Sequence, residues 1–87
     1  DIYMILRERA TMEEALKKLR AVKKIYPSEA NFLLIEIDRA RELYRHLAGK
    51  GIVVRDRSKQ VRNALRITIG TPKQNETLIQ NIKAFYE

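Results

Sequence analysis

Residues 64–69 read ALRITI, a short β-branched run in which Leu65, Ile67 and Ile69 alternate with Ala64, Arg66 and Thr68. Side chains along an extended strand point to opposite faces in turn. A period of two therefore calls for a sheet with one apolar face and one mixed face. Arg66 stands on the mixed face. An arginine placed there is either a solvated surface residue or a guanidinium held on a rigid platform for an anion.

The rest of the chain supplies the partners of such a strand. Residues 31–37 are long and apolar, with one charge between Phe32 and Ile37, as suits a central strand. Residues 22–26 read as extended and lead into a turn at Pro27-Ser28-Glu29, because proline fixes its own φ and biases its predecessor to extended geometry. GIVVR (51–55) predicts a further strand, and DRSKQVRN (56–63) a polar, basic loop.

Helical periodicity fills the intervals. Ile2, Ile5, Leu6, Met12, Ala15, Leu16 and Leu19 recur on one side of a helix predicted over 2–21, with Arg7, Arg9, Glu13, Lys17 and Lys18 mostly opposite. Thr11 and Glu14 have capping-box spacing, but no glycine or proline interrupts the pattern, so one continuous helix is expected. Asp38 is the expected N-cap of a second helix with the stripe Ala40, Leu43, Tyr44, Leu47 and Ala48, ended by Gly49 or Gly51. Thr71, Pro72 and Gln74 form a strong helix start, and Leu78, Ile79, Ile82 and Phe85 give that helix its buried side. The order is α-β-β-α-β-β-α. It predicts an α+β fold: a small, mostly antiparallel sheet with helices packed on one face, and Arg66 and Arg55 on the other. The 87 residues suffice for one domain, 1–87, which at this size buries about 60–65% of its unfolded surface.

Several chemistries are absent from the sequence. There is no cysteine, which excludes disulfides, zinc ribbons, iron–sulfur clusters and thiol nucleophiles. The one histidine, His46, lacks a second histidine at helical spacing, so no metal site is expected. Ser28 and Ser58 have no nucleophile elbow, and AGKGI (48–52) lacks phosphate-loop spacing and reads as a helix stop. No apolar run approaches a membrane span. The charge of +7 and pI of about 10.0 raise nucleic acid as a partner, but RNP1 and GXXG patterns are missing. The cluster Lys17, Lys18, Arg20, Lys23 and Lys24 reads as a solvated face. Nucleic acid and membrane are therefore not expected partners. Arg55 and Arg66 remain: two planar forks on rigid strands suit a carboxylate or a phosphate.

Taken together and in order, YPSEANFLLIEI (26–37), GIVVRDRS (51–58) and LRITIGTPKQN (65–75) resemble the C-terminal small domain of the histidinol-phosphate aminotransferase family. These are pyridoxal-phosphate enzymes of the aspartate aminotransferase fold type. The resemblance runs over nearly the whole chain. It implies amino-group transfer between glutamate and imidazole-acetol phosphate in histidine biosynthesis. Arg66 matches the arginine that receives the anionic end of the substrate, and Arg55 the one that assists with the phosphate. The resemblance further implies a cytoplasmic, homodimeric full-length enzyme whose large domain carries the cofactor lysine and phosphate cup. No position here matches those residues. The chain is thus expected to hold no catalytic, cofactor or metal residue, to bind no pyridoxal phosphate and to be inactive alone. The first residue, Asp1, is not methionine, and the natural start is expected upstream. The other reading is a free-standing basic α+β module for RNA or an acidic protein partner.

Overall fold

The alternation at 64–69 forms the strand it predicts, β4 (Ala64–Thr68), in a computed structural model that describes residues 1–29 and 31–87. The remaining elements are α1 (Ile2–Lys17), β1 (Val22–Tyr26), β2 (Phe32–Ile37), α2 (Ala40–Gly49), β3 (Arg55–Asp56) and α3 (Pro72–Tyr86). Among the described residues the strands form one antiparallel sheet in the order β1-β2-β4-β3. The two most apolar strands are therefore central, as their composition requires. Leu33, Ile35 and Ile37 of β2 and Leu65 and Ile67 of β4 point to one face, where Met12, Leu16, Leu43, Leu47 and Ile82 of the helices cover them. Burying each such side chain stabilises the fold by about 1.5–3 kcal/mol. The α+β class, the element order and the placement of the helices on one face all agree with the sequence.

Three boundaries differ, each because a hydrogen bond takes a backbone group that the local pattern assigns elsewhere. First, α1 is continuous through Thr11 but stops at Lys17, short of residue 21. The carbonyl of Ala21 accepts a hydrogen bond from Asp38 N–H at 3.0 Å, which joins this segment to the sheet corner. Second, Asp38 is not the N-cap of α2. Its N–H is held by Ala21, its carbonyl accepts from the Tyr86 hydroxyl, and its carboxylate lies 3.5 Å from Lys23 Nζ. Arg39 caps instead, in the left-handed region at φ 59° and ψ 41°, with no side-chain cap. Third, the strand predicted over 51–55 shrinks to Arg55–Asp56. Gly51 N–H and Ile52 N–H bond back to Ala48 and Leu47 carbonyls at 3.0 and 2.9 Å. This pairing, with Gly51 at φ 75°, is a Schellman ending that satisfies the last helical carbonyls and keeps residues 50–52 out of the sheet.

The turn from β4 into α3 is built as its sequence suggests, with additions. Thr71 and Gln74 form a reciprocal capping box with Pro72 in the first turn. A Cβ at Gly70 would meet Gln74 Oε1, so a larger residue there would displace the glutamine half of the cap. Asn75, 4% exposed, accepts from Gly70 N–H at 2.8 Å and donates to Gly70 O at 3.1 Å and Glu8 Oε1 at 3.0 Å. This side chain ties the end of β4 to α1.

Arg9 makes the second long-range tie. Periodicity places it on the polar side of α1, yet its side chain is only 15% exposed. Its Nη1 donates to the carbonyls of Glu29 and of Phe32 (2.6 Å), its Nη2 to Ser28 Oγ (2.8 Å) and its Nε to Glu13 (3.0 Å). Ser28 Oγ in turn donates to Phe32 O at 2.8 Å. The β1–β2 turn is thus fastened to α1 through a charged donor, and the backbone of Phe32 is fixed with it.

Two outcomes follow. Arg9→Met, which keeps the apolar stem, is expected to lower unfolding free energy in urea by about 1.5–3 kcal/mol, the worth of charged hydrogen bonds. The second concerns Tyr86. Burial pushes its hydroxyl up to about 12, with Asp38 and Glu42 reinforcing the shift against Arg39. The folded value lies above the unfolded value of about 10, so Tyr86 contributes stability that is complete below pH 10. That contribution is lost as pH rises toward about 12, because the unfolded chain releases the proton first. Phenolate absorbance is expected to show a late-titrating component that Tyr86→Phe removes.

Candidate functional site

The face of the sheet away from the helices is set by the β2–β4 register. Leu34 pairs with Arg66 and Phe32 with Thr68, while Arg55 of β3 pairs with Arg66 from the other side. Directly paired residues of antiparallel strands point to the same face, with Cβ atoms about 4.5–5.5 Å apart. The row Tyr26, Leu34, Arg66, Arg55 therefore runs across all four strands on the uncovered side. The two arginines singled out from the sequence are brought together as direct cross-strand neighbours.

That placement is electrostatically unfavourable by itself. Like charges directly opposite on a sheet destabilise the pair, where opposite charges would contribute roughly 0.2–1 kcal/mol. Nothing nearby offsets it: among the described residues, no ion pair includes Arg55 or Arg66. The carboxylate nearest in register, Glu36, stands opposite Lys24 and Ala64. Arg66 is half-buried, its Nε has no hydrogen-bond partner, and Arg55 is exposed. The Nε is shut off from solvent, so a guanidinium in this state meets an anion through its Nη groups, and a second positive charge beside it raises the local affinity for an anion.

The surrounding residues hold the pair in place. The ring of Phe32, diagonal to Arg66, lies under its guanidinium with 5.2 Å between the Arg66 Cζ and the ring centre. Lys24 and Tyr26 make a similar stack at the β1 end, at 4.6 Å. On the β3 side, Asp56 faces the helices, 3.8 Å from Arg41. Its carboxyl is held below the ordinary aspartate range chiefly by Ser58, whose N–H donates to it at 2.8 Å. Arg57 N–H bonds Ala64 O at 2.9 Å and continues the β3–β4 pairing beyond its two-residue core. Val53, 86% exposed, flanks Arg55. Phe32 enters the sequence reading only as part of an apolar run. Its diagonal offset from Arg66 depends on strand register, which composition does not carry.

Other sequence candidates stay apart. His46 sits on α2 against Phe85, with ring centres 5.2 Å apart. Ser28 belongs to the Arg9 clamp. Among the described residues no group of three potential ligands gathers for a metal, and no helix is long and apolar enough to cross a membrane. Every lysine of the chain is exposed on its surface. Among the described residues, none is therefore enclosed in the way a cofactor aldehyde needs.

Comparison with known proteins bears on this geometry. No family model matches the chain. A histidinol-phosphate aminotransferase from Flavobacterium psychrophilum is 49% identical over 82 residues, covering 92% of this chain and 24% of that protein. Among solved structures, the histidinol-phosphate aminotransferase from Clostridium acetobutylicum superposes with a TM-score of 0.85 and 25% identity, over 95% of this chain and 26% of that one. The L-threonine-O-3-phosphate decarboxylase from Porphyromonas gingivalis matches with a TM-score of 0.71 and 28% identity, over 88% of this chain and 24% of that one. The chain spans about a quarter of the length of the curated relatives it matches. In sequence and in fold, the chain is similar to a segment of these histidinol-phosphate aminotransferases about a quarter as long as they are.

Proposed function

We propose that this chain is the substrate-anion-binding small domain, C-terminal in the whole enzyme, of a histidinol-phosphate aminotransferase. The full-length protein transfers an amino group between glutamate and imidazole-acetol phosphate in histidine biosynthesis. One observation carries the reading: Arg66 is half-buried on a rigid strand, has no acidic partner, and faces Arg55 directly. The names of the relatives supply histidinol phosphate, the family resemblance supplies glutamate and imidazole-acetol phosphate, and the two guanidiniums supply a reason for this domain to meet them.

In this reading Arg66 receives the group common to both substrates, an anion: the carboxylate of glutamate or the phosphate of the other. A planar fork can accept either through two parallel hydrogen bonds. Arg55, exposed and one strand further out, adds a second donor set where the anion carries more oxygens and more charge. Pyridoxal phosphate supplies the electron sink in the full-length enzyme, on residues outside this chain. This domain orients the substrate and balances its charge, and it is silent without the large domain. A cytoplasmic homodimer is the matching assembly.

The test is made in the full-length enzyme, measuring each half-reaction separately. Arg66→Ala is expected to lower kcat/KM for glutamate and for histidinol phosphate alike, by roughly ten- to a hundredfold, the loss of a charged hydrogen bond. Arg55→Ala is expected to impair histidinol phosphate clearly more than glutamate. Arg66→Lys restores little, because a point charge lacks the fork. If Arg66→Ala leaves both substrates within about twofold, too small a loss for a charged hydrogen bond, the anion site lies elsewhere.

A further inference from the structure

A carboxylate partner orients a guanidinium but also occupies its donors and cancels its charge. Here, among the described residues, no carboxylate forms an ion pair with Arg66, although Glu36 stands diagonal to it on the same face, and the contact made by its guanidinium is with the face of Phe32. An aromatic face attracts a cation through its quadrupole without accepting the in-plane N–H hydrogen bonds. It therefore positions the guanidinium and leaves the fork open.

Phe32 is itself held from the opposite side of the sheet. Its carbonyl accepts from Arg9 Nη1 at 2.6 Å and from Ser28 Oγ at 2.8 Å, and its N–H bonds Glu29 O at 3.3 Å. Pairing with Thr68 fixes its register against β4. The ring is thus the mobile end of a residue whose backbone is fastened by α1, the β1–β2 turn and the central strand pair.

We infer that Phe32 is a positioning residue for substrate binding: its ring holds the Arg66 guanidinium in the binding pose in place of an acidic partner. The inference rests on the anion-binding role of Arg66. It adds a residue that touches no reacting atom and acts through the arginine. Its effect belongs to ground-state and transition-state binding alike, so it falls on KM rather than kcat.

The experiment uses the full-length enzyme with glutamate and histidinol phosphate as probes. Phe32→Leu removes the ring and keeps an apolar side chain, and Phe32→Met is a second such variant if the first lowers soluble yield. Either is expected to raise KM for both substrates about three- to tenfold, the range of a partly desolvated cation–π contact, with kcat within about twofold. Phe32→Tyr, which keeps the ring, is expected to restore KM to within about twofold of the parent. Combined with Arg66→Ala, loss of the ring is expected to add nothing further. Full additivity of the two changes, or a fall in kcat with KM unchanged, would overturn the inference. So would KM within about twofold in Phe32→Leu while Arg66→Ala raises it, a result that leaves the anion site standing. If Arg66→Ala also leaves KM unmoved, the anion-site reading fails first and the positioning role falls with it.

Discussion

The antiparallel pairing of β2 with β4 is the constraint on which the rest depends. Leu33 faces Ile67, and Ile35 faces Leu65, on the covered side, while Phe32, Leu34, Arg66 and Thr68 share the open side. A slip of one residue would exchange the two sets. It would bury a guanidinium among aliphatic side chains and expose the isoleucines, at a cost far above the stability of a domain this small. Register is therefore tightly specified, and the same specification aims Arg66. Fold and site are one choice of alignment.

The helices enforce that choice from behind. Arg9 reaches from α1 to the β1–β2 turn, Asn75 ties the end of β4 to Glu8, and Tyr86 closes α3 onto the corner at Asp38. Each tie ends on backbone at or near the edge of a central strand. The open face bears no comparable load. It keeps two like charges side by side and an unpartnered Nε, features that a purely structural surface would relieve with a carboxylate. Local conflict set in an otherwise consistent structure is the pattern expected of a functional site. The decarboxylase that shares this fold indicates that the scaffold is not restricted to one chemistry, so topology alone does not assign a function, and the arginines carry the specific signal.

Much of this is legible in the sequence. Alternation at 64–69 and the apolar run at 32–37 identify the central strands, and the Thr71-Pro72-Gln74 start of α3 forms as written. The failures share a cause. Asp38 has the chemistry of an N-cap, but its backbone is claimed by Ala21 and Tyr86, and Arg39 takes the role in a left-handed conformation. GIVVR has strand composition, but the Schellman ending of α2 consumes its start. Arg9 has the spacing of a surface residue, but the turn it clamps is nineteen to twenty-three positions away in the chain. Propensity is read from a short stretch, and each of these contacts reaches outside it. For the site, the sequence names Arg55 and Arg66, while only register shows that they adjoin and that Phe32 lies beneath one of them.

The central claim is that Arg66 is an anion receptor rather than a solvated strand residue. The most direct measurement is an NMR titration of the arginine Nε–H resonances in the 87-residue chain with inorganic phosphate, alongside chloride at equal ionic strength. The account predicts a saturable shift at Arg66, a smaller one at Arg55, and little change at Arg9, whose donors are already occupied. A uniform, unsaturating drift of all arginines, the same with chloride as with phosphate, would contradict it.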